Sequence, residues 1–526
     1  MARPVVWRPP AEPSPAELAV IKAVRRARLF VFLRLHRSEL FDEQFQAELA
    51  QAYVDSPKGQ PPVPPARLAL AVILQAYTGV SDDEVIEAAV MDRRWQLVLD
   101  CLGAEEPPFS KGTLVGFRKR LIEKNLDRRL VERTVELAAA TGGFGARALR
   151  AALDSSPLWG AGRVEDTFNL MGHALRKALG VIAVLQGRGQ AAGTAVVAAQ
   201  AGVPQLAASS LKAALDRDWD DPAARDEALA AVLGLLDQVG AFVAGQAGGE
   251  AAAVAVAAAR QVRDQDVDLT GPAPALRRGV AKDRRISVED GQMRHGRKSR
   301  SVLFDGYKRH VLRDLDSGLV PVVGITPANV PEAAVTGDIE ADLQAAGMSL
   351  AELHIDRAYL SSALVRDRGP DLVIFCKAWR VRNTGGRFAK DQFALDFAAG
   401  QLTCPAGVSM PFQPGRTVRF PKGTCAACPL RQRCTASSHG RSVAIHPDEA
   451  LLTELRHRQQ DPDGRAKLRE RVAVEHVLAH IGHWQGRRAR YLGTRKNLFD
   501  LRRVAMVHNL HVIARQPVTD GYEPAA

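Results

Sequence analysis

Apolar and polar positions recur along this chain with two different periods, and the switches between them divide it. From residue 15 to 140 the apolar positions come every three to four residues, the spacing of one helix face. The segment PPARLALAVILQAYTGVSDDEVIEAAV shows this most plainly. Pro64 and Pro65 open a first helix, because the first turn needs no N–H and proline presets φ. Gly79 suits its left-handed end. Ser81, with Glu84 three residues on, forms a capping box for a second helix. The pair reads as a helix–turn–helix, a unit that serves for packing as well as for DNA contact. A further helix, SKGTLVGFRKRLIEKNL, begins at Ser110 and carries Arg118, Lys119 and Arg120.

From Ala146 the period drops to two. In RALRAALDSS, Leu149, Ala151 and Leu153 share a face, and the run ends on Asp154. Residues 165–265 turn helical and alanine-rich, with 25 alanines in 191–260. Strand texture returns at SVLFDGYKRHVLRD and GLVPVVGITPA, and a helix follows around Glu332 to Ala346. ELHID is a strand that ends on Asp356 and passes at once into a helix near Tyr359 to Leu364. LVIFCKAW is a buried strand. With the alanine-rich stretch set aside, this order predicts an α/β fold, a mixed sheet with helices on its faces. Residues 385–450 break the pattern with Gly, Pro and four cysteines. RAKLRERVAVEHVLAHIGHW is a strong helix with Val474, Val477, Leu478 and Ile481 on one side, and a last helix runs from Leu498 to Ala514. The expected organisation is a helical region at 1–140 and a second domain at 145–515. Two insertions interrupt the second domain, a helical one at 165–280 and a cysteine-bearing one at 385–450.

A chain of 526 residues is too long for one compact core. We expect no apolar run long enough to cross a bilayer. The N-terminal MARPVVWRPPAEPSP lacks the apolar core of a signal peptide, so a cytoplasmic location without a membrane partner is expected. Net charge is +12, from 71 basic and 59 acidic residues, and the excess is clustered. Lys282 to Arg313, with the run RHGRKSR that contains Arg297 and Lys298, holds ten Lys/Arg against four Asp/Glu. Gln485 to Arg503 holds seven against one. Two such strips imply a polyanionic partner, nucleic acid in particular.

Two readings of Asp356 stand open: a cap for free N–H groups at a helix start, or a carboxylate held at a strand end to bind a metal. Asp154 poses the same question. Strand ends in one sheet bring distant positions together, and Glu475, at the border of its helix's apolar stripe, can face the sheet edge. Arg471 lies four residues before it, on roughly the same face. Three converging carboxylates repel unless cations neutralise them. Hard ions such as Mg²⁺ take oxygen ligands of this kind and keep positions for water and phosphate. A pair of such ions promotes in-line displacement at phosphorus.

Cys404, Cys425, Cys428 and Cys434 have spacings of x20, x2 and x5. The central CAAC is a chelate loop, and four thiolates suit a closed structural zinc site, with reduced free thiols as the alternative. Cys101 and Cys376 sit in apolar surroundings as ordinary core residues.

The segments ALDSSPLWGAG, EDGQMRHGRKSRSVLFDGYKRHVLRDLDSGLV, ITPANVPE, LHIDRAY and RVAVEHVLAHIG, in this order, resemble DDE transposases of bacterial insertion sequences. FDEQFQAELAQAY and SKGTLVGFRKRLI fit the InsH-type N-terminal domain of that group. The resemblance covers most of the chain except the alanine-rich stretch. It implies a ribonuclease-H-like core, with Asp154, Asp356 and Glu475 as an acidic triad for two Mg²⁺ ions, Mn²⁺ being able to substitute. The two insertions account for the wide spacings, 356 − 154 = 202 and 475 − 356 = 119. It further implies double-stranded DNA as partner, both element ends and target, an oligomer assembled on that DNA, and hydrolysis followed by strand transfer. Lys308, in DGYK, becomes a phosphate contact, with a solvent-facing strand lysine as the alternative, and Arg471 orients Glu475 or contacts a phosphate. Relatives often carry a similar CPAG…CxxC…C segment, in keeping with zinc. The chain departs from the helix signature Tyr-x2-Arg-x3-Glu-x6-Lys by having Leu468 and Gly482 at its ends. That departure touches DNA handling rather than metal binding, and Arg487 and Arg488 are candidates for the missing charge. Two other functions compete: an inactive descendant acting as a DNA-binding regulator, and a metal-dependent nuclease without strand transfer.

Overall fold

The computed structural model describes residues 4–54, 60–140, 148–381 and 385–515. The expected change of texture at Ala146 and the start of a second domain at 145 fall outside the described residues. Helices fill the described part of 15–140, and the local chemistry sets their ends as the sequence suggests. The helix Pro65–Thr78 stops at Gly79, whose φ is 76°. Ser81 and Glu84 make a reciprocal capping box for Asp82–Met91. Ser110 caps Lys111–Glu123 through the Thr113 N–H.

Six strands build the central sheet: β1 (Ala148–Trp159), β2 (Arg294–Arg297), β3 (Leu303–Asp314), β4 (Val322–Pro327), β5 (Ser349–His354) and β6 (Val373–Phe375). The order is β2-β3-β1-β5-β6, with β4 also on β3. β2, β4 and β1 run antiparallel to β3, while β5 runs parallel to β1 and β6 to β5. The sheet is therefore mixed, as the pattern predicts.

One face of the sheet, with Leu149, Ala151, Leu153, Leu353 and Ile355, packs on the helices Thr336–Ala345 and Glu449–Gln460. The other, with Ala152 and Val311, packs on Val472–Gln485, here called the glutamate helix, and on the C-terminal helix Thr494–Ile513. The C-terminal helix is shared. Leu501, Val504 and Ala505 join the sheet core, whereas Met506, Val507 and Leu510 join the core of the N-terminal helices.

Several expectations need correction. Asp154 does not end its strand: β1 continues five residues to Trp159, because β3 pairs with it along that whole stretch. After Asp356 comes only a 3-10 turn, Arg357–Tyr359, and a four-residue helix, Ala363–Arg366. The predicted helix around Glu475 is two helices, Pro462–Glu470 and Val472–Gln485, meeting at Arg471. The last helix starts four residues earlier than expected, at Thr494. Two helices of the alanine-rich insertion, Thr167–Leu185 and Pro222–Ala244, are long and apolar enough to cross a bilayer, against the expectation that none is. They pack into that insertion's own core, formed by residues such as Leu175, Leu179, Leu229 and Val256. The cysteine-bearing insertion has a separate small core of Phe388, Phe393, Leu402, Val418 and Phe420.

Candidate active site

A single irregularity between β1 and β5 decides which side chains face each other. Leu149 pairs with Leu350, but Arg150 pairs with Glu352, so Ala351 is an extra residue on β5. Such a bulge changes the phase of every later side chain. Leu350 and Leu353, three apart, thereby both reach the apolar face. Ala152 pairs with His354, and two residues further along the same register Asp154 stands beside Asp356. The alternation of β1 turns Asp154, like Ala152, toward the glutamate helix.

Asp154, Asp356, Glu475 and Arg471 line one cavity, with Arg297, Lys298 and Lys308 around it. The Asp154 side chain is 14% exposed and that of Glu475 51%. Arg471 donates one Nη to Asp154 and the other to Glu475 Oε1 at 3.0 Å. Asp356 is exposed, and its Oδ1 accepts the Ala358 N–H at 2.6 Å. The cap reading of Asp356 is thus realised, and the residue lines the cavity as well. Burial pushes the Asp154 carboxyl above the usual aspartate range. Arg471 and the Ser155 N–H oppose that rise, while the charges of Asp356 and Glu475 add to it. Like charges gather here and carboxylate oxygens are the donors a hard divalent cation takes, although among the described residues these three carboxylates do not all come within 4.8 Å of one another.

The cations named from sequence divide by environment. Lys308 is buried, donating to Val330 O at 2.8 Å and pairing with Glu332 at 2.9 Å. A solvent-facing lysine is ruled out there, although an ammonium has a third N–H to give. Arg297 and Lys298 are exposed. Arg488 spends its guanidinium on the carbonyls of Gly160 and Ala161, both at 3.1 Å, which fixes the end of β1. Arg487 is exposed and lends only its backbone O to Trp159. In the N-terminal helices, Arg118 is buried against Asp82 and Gln75, and Arg120 lies 4.6 Å from the Tyr53 ring.

Several supporting residues carried no motif. His310 is fully buried on β3, hydrogen-bonded to Tyr359 Oη at 2.8 Å and Thr326 Oγ1 at 2.9 Å. Burial, then nearby Lys308, pushes its imidazole down to about 3, so it is neutral. Burial and the Asp154 charge push the Tyr359 hydroxyl well up, and Tyr359 also bonds Ser155. Arg309 links Ser156 Oγ (2.8 Å) to Gln485 Oε1 (3.0 Å), tying β1 to the end of the glutamate helix. Its guanidinium lies beside Gly482. Only the alternation of VLFDGYKRH could have flagged His310 as inward-facing.

A second group, Glu352, His354 and Glu470, brings its ligand atoms within 4.8 Å of one another. Arg150 bridges both glutamates, and Lys467 bonds Glu352. Those two cations already balance the charge, so the group is an ion-pair network that anchors Pro462–Glu470 to β1 and β5.

Cys404, Cys425, Cys428 and Cys434 line a common cavity. Burial pushes the Cys434 thiol up, Arg441 opposes, and the other three cysteines add to the rise. The Arg441 N–H points at Cys425 Sγ at 3.5 Å. Four thiols around one hollow are the donor type of a structural zinc site, but among the described residues no three of these sulfurs lie within 4.8 Å of one another. Cys376, by contrast, is buried and its thiol is pushed up to about 12 by burial.

The family model for a Transposase DDE domain matches residues 403–514, which contain Arg471, Glu475 and all four clustered cysteines. A second model, Transposase domain (DUF772), matches residues 31–120 in the N-terminal helices. Both matches are to transposase domains, and together they support a DDE-type transposase of the insertion-sequence kind. Transposases act on DNA, and members of the DDE group generally use divalent metal ions. Asp154 and Asp356 of this transposase lie outside both matched segments. No curated protein and no solved structure matches the chain.

Proposed function

We propose that this transposase cleaves phosphodiester bonds at the ends of its own element and joins the freed 3′-hydroxyl to target DNA, with Asp154, Asp356 and Glu475 as the metal-binding carboxylates. The observation that carries the reading is the shared cavity of these three residues, which sequence separates by 202 and 119 positions; the β1–β5 register sets Asp154 beside Asp356, and the glutamate helix adds Glu475. The mixed sheet, with β3 antiparallel and β5 parallel to β1, supports reading it as a ribonuclease-H-like core. Divalent ions, Mg²⁺ or in its place Mn²⁺, supply activation of the attacking oxygen and stabilisation of the leaving one when bound.

The chain's own residues hold and orient. Asp154 is fixed by the Ser155 N–H and by Arg471; Asp356 is fixed by the turn it caps. Arg471 keeps Asp154 and Glu475 together, and its guanidinium is suited to a phosphate once metal takes over the carboxylates. Arg297, Lys298 and Lys308 border the same cavity and would meet the DNA backbone, with Arg487 further out; Arg488 contributes by fixing the strand end. The N-terminal helices would recognise the element end, with two or more copies assembling on DNA in the cytoplasm. A zinc ion on the four cysteines would organise the second insertion without entering the chemistry.

The test is Mg²⁺-dependent cleavage and joining of the DNA flanking the protein's own gene, compared between wild type and Glu475→Gln. Cleavage by both proteins alike would overturn the triad. Cleavage without joined products would leave a plain nuclease. Sequence-specific binding without either product would leave a regulator.

A further inference from the structure

Three cavities run into one another at the candidate triad. Asp356, Arg471 and Glu475 line the site described above and also a neighbouring cleft. Arg357 and Lys377 line that cleft and also a further hollow beside β6, the cysteine-bearing insertion and the helix Glu449–Gln460. Shared lining residues thus lead from the triad past Lys377 to Arg380, whereas Arg297 and Lys298 line the first cavity.

The charge along it is mostly positive, with Asp391 the acidic residue in the lining of the further hollow. Arg357, Lys377, Arg380, Arg465 and Arg469 line these two spaces. Arg357 gives Nε to Lys377 O, and Arg465 gives Nη1 to Gln460 O. Among the described residues none of the five has a carboxylate within 4.0 Å. The neighbouring cations differ. Arg368, Lys390, Arg456 and Arg458 each hold an acidic partner. The carboxylates of the first cleft are Asp356 and Glu475, which the proposed metal ions would engage. Lysine and arginine gathered without paired counter-charge in a concave surface focus a positive potential and call for a polyanion.

We propose that this cleft is a phosphate-binding track for the DNA on the far side of the bond being broken, held by Lys377, Arg380, Arg465 and Arg469. The proposal rests on the reading of the triad as a phosphodiester-cleaving site. It adds that DNA passes through that site toward the cysteine-bearing insertion. The β2–β3 side then holds one flank of the scissile phosphate and this track the other.

The full-length triple variant Lys377→Ala/Arg380→Ala/Arg469→Ala separates the possibilities. A control removes the same charge from the alanine-rich insertion, Lys177→Ala/Arg188→Ala/Arg225→Ala, where all three side chains are exposed. The probe is a labelled duplex of the DNA flanking the protein's own gene. Each phosphate contact contributes about 0.9 to the slope of log K against log salt. The track variant should lose roughly two to three from that slope. It should also raise KM about tenfold or more and keep kcat within about twofold at saturating DNA, while the control matches wild type. A track variant whose slope and KM equal the control's would overturn the track and leave the triad untouched. So would a fall in kcat at unchanged KM. Wild-type protein that neither binds nor cleaves the probe with Mg²⁺ would sink the underlying reading and the track with it.

Discussion

Asp154 and Glu475 share the guanidinium of Arg471, and the fold pays for that arrangement with a carboxyl raised by burial. Asp356 differs, being exposed and held only by the turn it caps. Asp356→Ala should therefore leave the protein folded and bound to DNA while cutting cleavage by more than about a hundredfold; matched binding isotherms and product gels check both halves. His310 plays a structural part. His310→Ala leaves the Tyr359 hydroxyl and Thr326 short of a buried partner, and should cost about 1–3 kcal/mol in urea denaturation. Acid sensitivity comes from His310 and from two further buried histidines, His508 and His511, all held below the ordinary imidazole value. Burial pushes His508 from 6.5 down to about 4. The unfolded chain takes up that proton as pH falls through 6.5, and the folded one does not until about 4. Stability is then full near pH 7 and drops toward pH 4, by on the order of 3 kcal/mol for this group. His508→Gln keeps a donor for Gly318 O, a contact of 3.1 Å in the wild type, and should make the fall of melting temperature over that window shallower, with His310 and His511 supplying the remainder.

At the scale of elements, periodicity located most strands and helices but could not show where their phase breaks. Leu353 and Ile355 alternate correctly, yet the single residue Ala351 sets which partner each meets on β1. A bulge between parallel strands depends on tertiary pairing, so it leaves no local signature. The same holds for β1, whose second half has Ser155, Ser156 and Pro157 and looks like a turn until β3 pairs with it. β2 was missed because RHGR is short and basic, and gains its regularity from β3. The cysteine element makes a direct prediction. Purified protein should carry about one zinc per chain, and a chelator should expose four thiols to a reagent that wild type resists. Cys425→Ser should lower the zinc content, and metal-free wild type with unchanged thermal stability would argue for plain thiols.

The whole molecule is joined through the C-terminal helix. Asp127, fully buried among the N-terminal helices, pairs with Arg495 and Arg502, and Arg502 reaches Asp342. Gln75 bonds Arg503, which pairs with Asp500, and Asp500 accepts from Gln485 beside Arg309. Polar contacts thus run from the N-terminal helices to the strand that bears Asp154. Removing one partner leaves buried charge uncompensated, so Asp127→Ala should destabilise by about 3–5 kcal/mol. Near-UV and far-UV signals should lose their cooperativity together, since both regions share that helix; separate transitions would mean that they fold independently.

By itself the sequence determined the local features: helix caps, apolar faces, the cysteine spacing and the two basic strips. Each depends on neighbours within a turn or two, or on total charge. The tertiary structure decided what depends on distant partners. It fixed the facing of Asp154 and Asp356, the burial of Lys308 and Arg118, the engagement of Arg488 and the uncompensated cations beside Lys377. Burial and pairing are properties of segments hundreds of residues apart, and no local pattern encodes them.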